Sequence, residues 1–281
     1  MPPVKITTHT LRQRKDAGQS VVCVTAYDYP TATFAHRAGV EVLLVGDSAA
    51  MTMLGLPNTL AIGMEEMLVL AKAVVRGAGH AFVIGDLPFL SYQAADADAV
   101  RNAGAFVQAG CDAVKLEGGA RVAPRVRAIA DAGIAVMGHI GLTPQSLGQL
   151  GGYRVQGRDA AAVDRLVADA GALEDAGAFA ILIEAVPPDA ARAVHDAVAI
   201  PVYGIGAGPY VDGQLVIAHD LLGSFVGDVK PRFVSRLADV DTVVTGAFRR
   251  YVADVRSRAF PAPQHWYEFD RPRPVSLASA S

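Results

Sequence analysis

Residues 38–48 read AGVEVLLVGDS: a small-residue helix ending, an apolar run, a glycine, and a carboxylate where the run stops. Glycine suits the left-handed position just past a helix, and an unbroken apolar stretch marks a strand covered on both faces. The same phrase recurs as AGHAFVIGD (78–86), AGCDAVKLE (109–117), AGIAVMGH (132–139) and AGAFAILIE (176–184). Further strands are expected at SVVCVTAYD (20–28), at IPVYGIGAG (200–208) and, more weakly patterned, at LVIAHDLLG (215–223). Between them lie Ala-rich segments with helical spacing, such as 64–79 and 159–177, that open on acidic residues. Eight parallel strands alternating with helices either close into a barrel or spread as an open doubly wound sheet. The strand count and the 281 residues favour one α/β domain, a (β/α)8 TIM barrel, a fold whose usual size is about 250 residues. The barrel is expected over 1–262, followed by a Pro/Ser/Ala-rich tail, 263–281, that is poorly ordered.

Composition narrows the partners. The hydrophobic share of 52% exceeds that of an average soluble chain, which predicts surface hidden in a homo-oligomer. The net charge of -3 is spread along the chain, and its basic clusters, RQRK (12–15) and RPR (271–273), form no stripe that follows a phosphate backbone. Nucleic acid is therefore not an expected partner. Cys23 and Cys111 sit in apolar runs without metal-ligand spacing, which predicts free thiols in a reducing compartment. No leading segment reads as a secretion signal, and the apolar MLVLAKAVV is interrupted by Lys72. A cytoplasmic protein without membrane contact is expected.

Barrel active sites lie at the C-terminal ends of the strands. The repeats place Asp47, Asp86, Glu117, His139 and Glu184 there, with Lys115 two residues before Glu117 and so on the same face of its strand. Any one of these could cap a helix or face water; five at equivalent positions argue for convergence. Two aspartates and a glutamate without a cysteine form a hard oxygen cluster suited to Mg²⁺, and without a cation such crowding forces a carboxylate to protonate. The ion could chelate a 2-oxo acid and stabilise the enolate formed on loss of a neighbouring proton. Lys115 would add positive charge beside that oxyanion. Glu184 follows the apolar ILI, a setting that raises a carboxyl toward the range of a general base. His139 either orients the substrate carboxylate or is a core residue bonded to backbone. GIGAG (204–208) lacks a dinucleotide fingerprint and a P-loop lysine, so phosphate binding and close backbone approach are equally open. The glycine-punctuated stretch 141–158 has the length of a lid, a second-substrate wall or a plain loop.

VTAYDY (24–29), LVGDS (44–48), DLPF (86–89), VKLEGG (114–119), GHIGLTPQS (138–146), GGYRVQGR (151–158), GIGAG (204–208), DGQ (212–214) and HDLLG (219–223) occur in an order that resembles the 3-methyl-2-oxobutanoate hydroxymethyltransferase family, also called ketopantoate hydroxymethyltransferase. The resemblance runs over roughly residues 5–260. It implies a Mg²⁺-dependent barrel of the phosphoenolpyruvate mutase/isocitrate lyase-like type. Such an enzyme moves a one-carbon unit from 5,10-methylenetetrahydrofolate onto 3-methyl-2-oxobutanoate, through a Mg-stabilised enolate, giving 2-dehydropantoate in pantothenate biosynthesis. By the same resemblance Asp47 and Asp86 are metal ligands that border the oxo acid, and Ser48 is a substrate contact. Glu117 serves the metal directly or through water, Lys115 the substrate, Glu184 is the proton acceptor and His139 a pocket residue. Family members are commonly decamers.

The chain departs from the family in places. Where the family usually continues GDS with Leu-Gly-Met, this chain has AAM (49–51), and TLAIG (59–63) stands where Thr-Leu-Pro-Val-Thr is typical. Arg154 replaces a common lysine and keeps its charge. Two other readings stand beside the transferase: a Mg²⁺-dependent C–C or P–C lyase or mutase of the same superfamily, and a non-catalytic ligand-binding paralogue. The first is opposed by VMGHIG, which lacks the cysteine of the lyases' Lys-Lys-Cys-Gly-His stretch. The second is opposed by the retained acidic residues and Lys115.

Overall fold

The computed structural model describes residues 4–227 and 231–268. Its eight strands are β1 (Val21–Thr25), β2 (Val42–Val45), β3 (Phe82–Asp86), β4 (Ala113–Glu117), β5 (Val136–Gly141), β6 (Ala180–Glu184), β7 (Val202–Ile205) and β8 (Gly213–Val216). Each pairs in parallel with its neighbours in sequence, and β8 pairs with β1, so the sheet closes into a barrel. Helices Tyr29–Arg37, Met64–Gly77, Asp96–Gln108, Ala123–Asp131, Ala160–Asp175 and Pro188–Ala197 make six of the crossovers. The glycines of the five Ala-Gly phrases all take positive φ, from 55° at Gly79 to 101° at Gly110, a conformation that costs glycine little.

The eighth strand differs from its expected place over 215–223. It runs over Gly213–Val216, and Ala218–Leu222 is helical. Its start is fixed by contact with β1: a Cβ on Gly213 would lie 2.3 Å from the Val21 carbonyl oxygen. No helix separates β7 from β8.

Strand parity decides what faces the barrel interior. Val42 and Leu44, Phe82 and Ile84, Ala113, Met137, Ala180 and Leu182, Tyr203 and Ile205 form one interior cluster, joined by Leu11 of the N-terminal helix Thr8–Asp16. Leu43, Val45, Val83, Val114, Leu116, Ile181 and Ile183 alternate with them and pack outward under the helices. Continuing the inward parity along each strand brings Asp86, Lys115, Glu117, His139 and Glu184 above the apolar layers. Registry does the rest: Asp86 is paired with Lys115, and Glu117 with His139.

The contacts divide the chain at Ala238–Asp239; the second unit begins at Asp239 and carries the helix Val240–Arg256. From residue 269 the expected tail lies outside the described residues. Among the described residues no helix is long and apolar enough to cross a membrane.

The helices that cover the sheet sit close enough to demand glycine beneath them. A Cβ on Gly85 would lie 2.3 Å from the Phe106 ring, and one on Gly138 2.6 Å from Leu173 Cδ1. Gly85→Ala is expected to destabilise the fold by about 1–3 kcal/mol, the usual cost of overpacking, seen as a lower urea midpoint at unchanged m-value. A midpoint equal to wild type would show that the ring moves aside freely.

Candidate active site

The barrel mouth buries its charges. Asp47, Asp86, Lys115, Glu117 and His139 are each 1–4% exposed, whereas the Glu184 side chain keeps 16% of its surface open. Asp86, Glu117 and Glu184 are the last residues of β3, β4 and β6, and His139 lies within β5. Asp47 stands on the loop two residues past β2, where its N–H donates to Asp86 Oδ2 at 3.0 Å. Lys115 Nζ forms an ion pair with Asp86 Oδ1 at 2.7 Å, without the alignment of a hydrogen bond, and lies 3.9 Å from Glu117 Oε1.

Lys115 Nζ is also 3.2 Å from His139 Nδ1. An ammonium only donates, so Nδ1 accepts and the imidazole proton sits on Nε2, 3.3 Å from Glu184 Oε2 but poorly aligned with it. Burial, and then the adjacent Lys115 charge, hold His139 well below its ordinary pKa. It is a neutral bridge between Lys115 and Glu184.

Four carboxylates thus share one ammonium. Burial raises Asp47 well above the ordinary carboxylate range, with the Asp86 and Glu117 charges adding to it. Burial likewise lifts Glu117 to about 8 against the pull of Lys115, and lifts Glu184 to about 8 against the same pull. For Lys115 burial works downward, but the Asp86, Glu117 and Asp47 carboxylates outweigh it and keep the amine charged. The cluster is therefore short of positive charge. Glu117 Oε1 is a buried carboxylate oxygen that accepts no hydrogen bond.

All seven residues expected from the sequence belong to this mouth. Ser48 lies beside Asp47, and its Oγ is 2.7 Å from the Tyr27 hydroxyl. Three further residues, which no sequence pattern marks, complete the mouth. Tyr27 is one; the others are Tyr92, whose Oη lies 2.8 Å from Gln145 Oε1 and accepts the Glu117 N–H at 3.1 Å, and Gln145 itself. Gln145 donates from Nε2 to Asp47 Oδ2 at 2.9 Å, and its N–H donates to Glu117 Oε2 at 2.8 Å. Tyr27 lies in VTAYDY and Gln145 in GHIGLTPQS, yet no local pattern ties them to groups so distant in the chain.

The stretch 141–158 is not plain loop: Pro144–Ser146 and Leu147–Leu150 are helical turns that carry Gln145 to the mouth. At GIGAG the glycines answer to packing, since a Cβ on Gly206 would lie 2.6 Å from the Phe233 ring and one on Gly208 2.7 Å from Pro188. A cavity of about 490 Å³ adjoins the cluster, with Glu117, Gln145 and Tyr92 on one side and Leu60, Phe89 and Arg121 among its other walls.

The closed (β/α)8 barrel, with buried carboxylates and a lysine at its strand ends, has the fold of the phosphoenolpyruvate mutase/isocitrate lyase-like barrels. Solved structures agree on the fold. Phosphoenolpyruvate phosphomutase from Streptomyces platensis superposes with a TM-score of 0.64 at 19% identity, covering 94% of this chain and 92% of that one. Phosphonopyruvate hydrolase, in complex with oxalate and Mg²⁺, gives 0.61 at 16% identity over 92% and 93%. The chain belongs to the ketopantoate hydroxymethyltransferase family, whose model matches residues 5–263. The 3-methyl-2-oxobutanoate hydroxymethyltransferase of Alkaliphilus metalliredigens is 52% identical over 92% of this chain and 91% of its own. That of Carboxydothermus hydrogenoformans is 49% identical over 93% and 95%.

The raised carboxyl groups set a pH dependence. A carboxyl whose folded pKa lies above its unfolded value binds protons more tightly when folded, so its contribution is complete below the unfolded pKa and is lost as pH rises through the folded one. For Glu117 and Glu184 that window runs from the ordinary 4.5 to about 8. Metal-free protein is expected to lose thermal stability between pH 5 and 8.5. Glu184→Gln should regain on the order of 5 °C at pH 8.5, at about 2–4 °C per kcal/mol. Scanning calorimetry at the two pH values decides it, and equal slopes for variant and wild type would refute the assignment.

Proposed function

We propose that the chain hydroxymethylates 3-methyl-2-oxobutanoate, with 5,10-methylenetetrahydrofolate as one-carbon donor and Mg²⁺ as the resident ion, giving 2-dehydropantoate for pantothenate biosynthesis. The observation that carries this reading is the buried excess of carboxylate over ammonium beside a partly open Glu184, within a chain of this family.

The donor set fits a hard divalent ion. Its groups are carboxylate oxygens, one of them unpartnered at Glu117 Oε1, and the local charge calls for a cation. Among the described residues no three His, Cys, Asp or Glu side chains are grouped closely enough to form a metal cage by themselves. Mg²⁺ needs no such cage, since it is commonly held by one or two carboxylates and keeps several waters. Asp47 and Asp86 would hold it, with Glu117 acting through water. Bound there, it would supply Lewis acidity toward the oxygens of a 2-oxo acid.

The side chains perform the remaining work. Glu184 Oε2 takes the C3 proton of the oxo acid, and the C–H electron pair becomes the enolate. Lys115 Nζ, kept cationic by its carboxylate neighbours, stabilises charge on the oxo-acid oxygen. His139, neutral and fixed by Lys115 at Nδ1, turns Nε2–H toward Glu184 and the substrate carboxylate. Ser48, anchored by Tyr27, borders the same acid. The enolate carbon then bonds to the methylene carbon of the donor as one of its two C–N bonds opens and that nitrogen takes up the proton removed from C3. Water replaces the second nitrogen on the same carbon, leaving the hydroxymethyl group on the acid and releasing tetrahydrofolate, for which the cavity beside Glu117 and Gln145 has room.

Exposed Val243, Phe248 and Tyr251 on the helix Val240–Arg256, with the apolar composition, support a homo-oligomer, a decamer by family likeness. Light scattering that returned a monomer mass would refute it.

The chemical test is exchange of the C3 hydrogen of 3-methyl-2-oxobutanoate for deuterium, followed by NMR with Mg²⁺ and without folate. Wild type should exchange. Glu184→Gln should lose about 10²–10⁴-fold, the usual contribution of a general base, and chelation should abolish the remainder. Exchange by Glu184→Gln at the wild-type rate would remove Glu184 from its role.

A further inference from the structure

Asp47 is the acidic group of the cluster that no strand holds. Asp86, Glu117 and Glu184 end β3, β4 and β6, whereas Asp47 follows Gly46 on a loop. A carboxylate on a loop needs an anchor if its oxygens are to stay in place against the repulsion of three others.

Gln145 supplies that anchor. It is 6% exposed, and all of its side-chain hydrogen-bonding capacity is used. Nε2 donates to Asp47 Oδ2 and to the Leu87 carbonyl, each at 2.9 Å. Oε1 faces the Tyr92 hydroxyl at 2.8 Å and accepts from Gln93 Nε2 at 3.1 Å. Both neighbours of Nε2 are acceptors and both neighbours of Oε1 can donate, so the amide has one sensible orientation. Its own N–H holds Glu117 Oε2 at 2.8 Å. One residue therefore fixes a carboxylate oxygen on each side of the cluster, and it leaves Glu117 Oε1 unpartnered. Pro144 just before it stiffens the backbone that delivers it.

We propose that Gln145 is a positioning residue that orients the Asp47 and Glu117 carboxylates for a divalent ion, the first to hold it and the second to act through water; the inference rests on the metal reading of this same site. A residue that orients metal ligands commonly changes affinity by about 10- to 100-fold when lost. A purely structural role, pinning the turn Pro144–Ser146 to Leu87, would instead lower thermal stability and leave metal affinity alone.

The experiment uses full-length, metal-free protein titrated with Mn²⁺, a carboxylate-seeking ion, with free Mn²⁺ read by electron paramagnetic resonance. Gln145→Met keeps the chain length and removes the amide. It is expected to bind Mn²⁺ about 10- to 100-fold more weakly than wild type; affinity within twofold of wild type in a folded variant would overturn the proposal. Should circular dichroism find Gln145→Met unfolded, Tyr92→Phe takes its place, because it removes the hydroxyl that orients Oε1 and keeps the ring. A several-fold loss of Mn²⁺ affinity is then expected, and unchanged affinity overturns the proposal equally. Wild-type protein that bound no Mn²⁺ would sink the metal reading itself, and this inference with it, a result distinct from tight binding by both proteins.

Discussion

The ion pair between Lys115 and Asp86, shut inside the mouth of a barrel with three further carboxylates, is the constraint around which the rest is arranged. Like charges repel, and burial strengthens that repulsion because little water is left to screen it. They do not separate here because Asp86, Lys115, Glu117 and Glu184 project from strands locked edge to edge by the closed sheet. The apolar layers beneath, from Leu11 up through Ile84, Met137 and Leu182, keep water from entering below. The sheet thus holds the carboxylates together, and the single ammonium leaves the cluster in need of further positive charge or of protons.

That division of labour explains which parts were legible in the sequence. A strand of a parallel barrel is apolar on both faces until it ends, so the first polar residue after AFVIG or AILI announces both the strand's end and the active-site face. Asp86, Glu117, His139 and Glu184 could be named for that reason, and parity placed Lys115 with Glu117. The eighth strand resisted because its four residues include an exposed Gln214 and a glycine, too little apolar length to distinguish it from the helical turn that follows. Gln145 resisted for a different reason. Its partners lie 28, 52, 53, 58 and 98 residues away in the chain, and an amide carries no periodic signal that would point to them.

The departures from the family pattern beside Asp47 take a structural meaning. Ala49 and Ala50, which stand where a larger residue and a glycine are typical, are fully buried in the main core cluster and open the short helix Ala49–Thr52 behind Ser48. In the second segment Thr59 and Leu60 keep the typical residues; of the three that differ, Ile62 is buried in the same cluster and Ala61 is exposed. The buried replacements Ala49, Ala50 and Ile62 are thus absorbed into packing, while Asp47 and Ser48 keep their polar partners Gln145 and Tyr27. A ligand-binding relic would have no need to retain that support.

The lyase alternative turns on a thiol, and the two cysteines decide against it. Cys23 lies in the interior cluster with Val21, Val42 and Leu215, among the apolar layers below the carboxylates, and burial pushes its pKa strongly upward. Cys111 precedes β4, at the opposite end from Glu117, and burial raises it to about 12. Nucleophilic and acid–base thiol chemistry needs accessible thiolate, which comes from cationic, partly exposed surroundings; neither cysteine has them. Acid–base work at this mouth is left to oxygen and nitrogen groups. Among the carboxylates of the cluster Glu184 combines a raised pKa with a partly open side chain, the combination that favours the proposed enolisation over thiol-assisted cleavage.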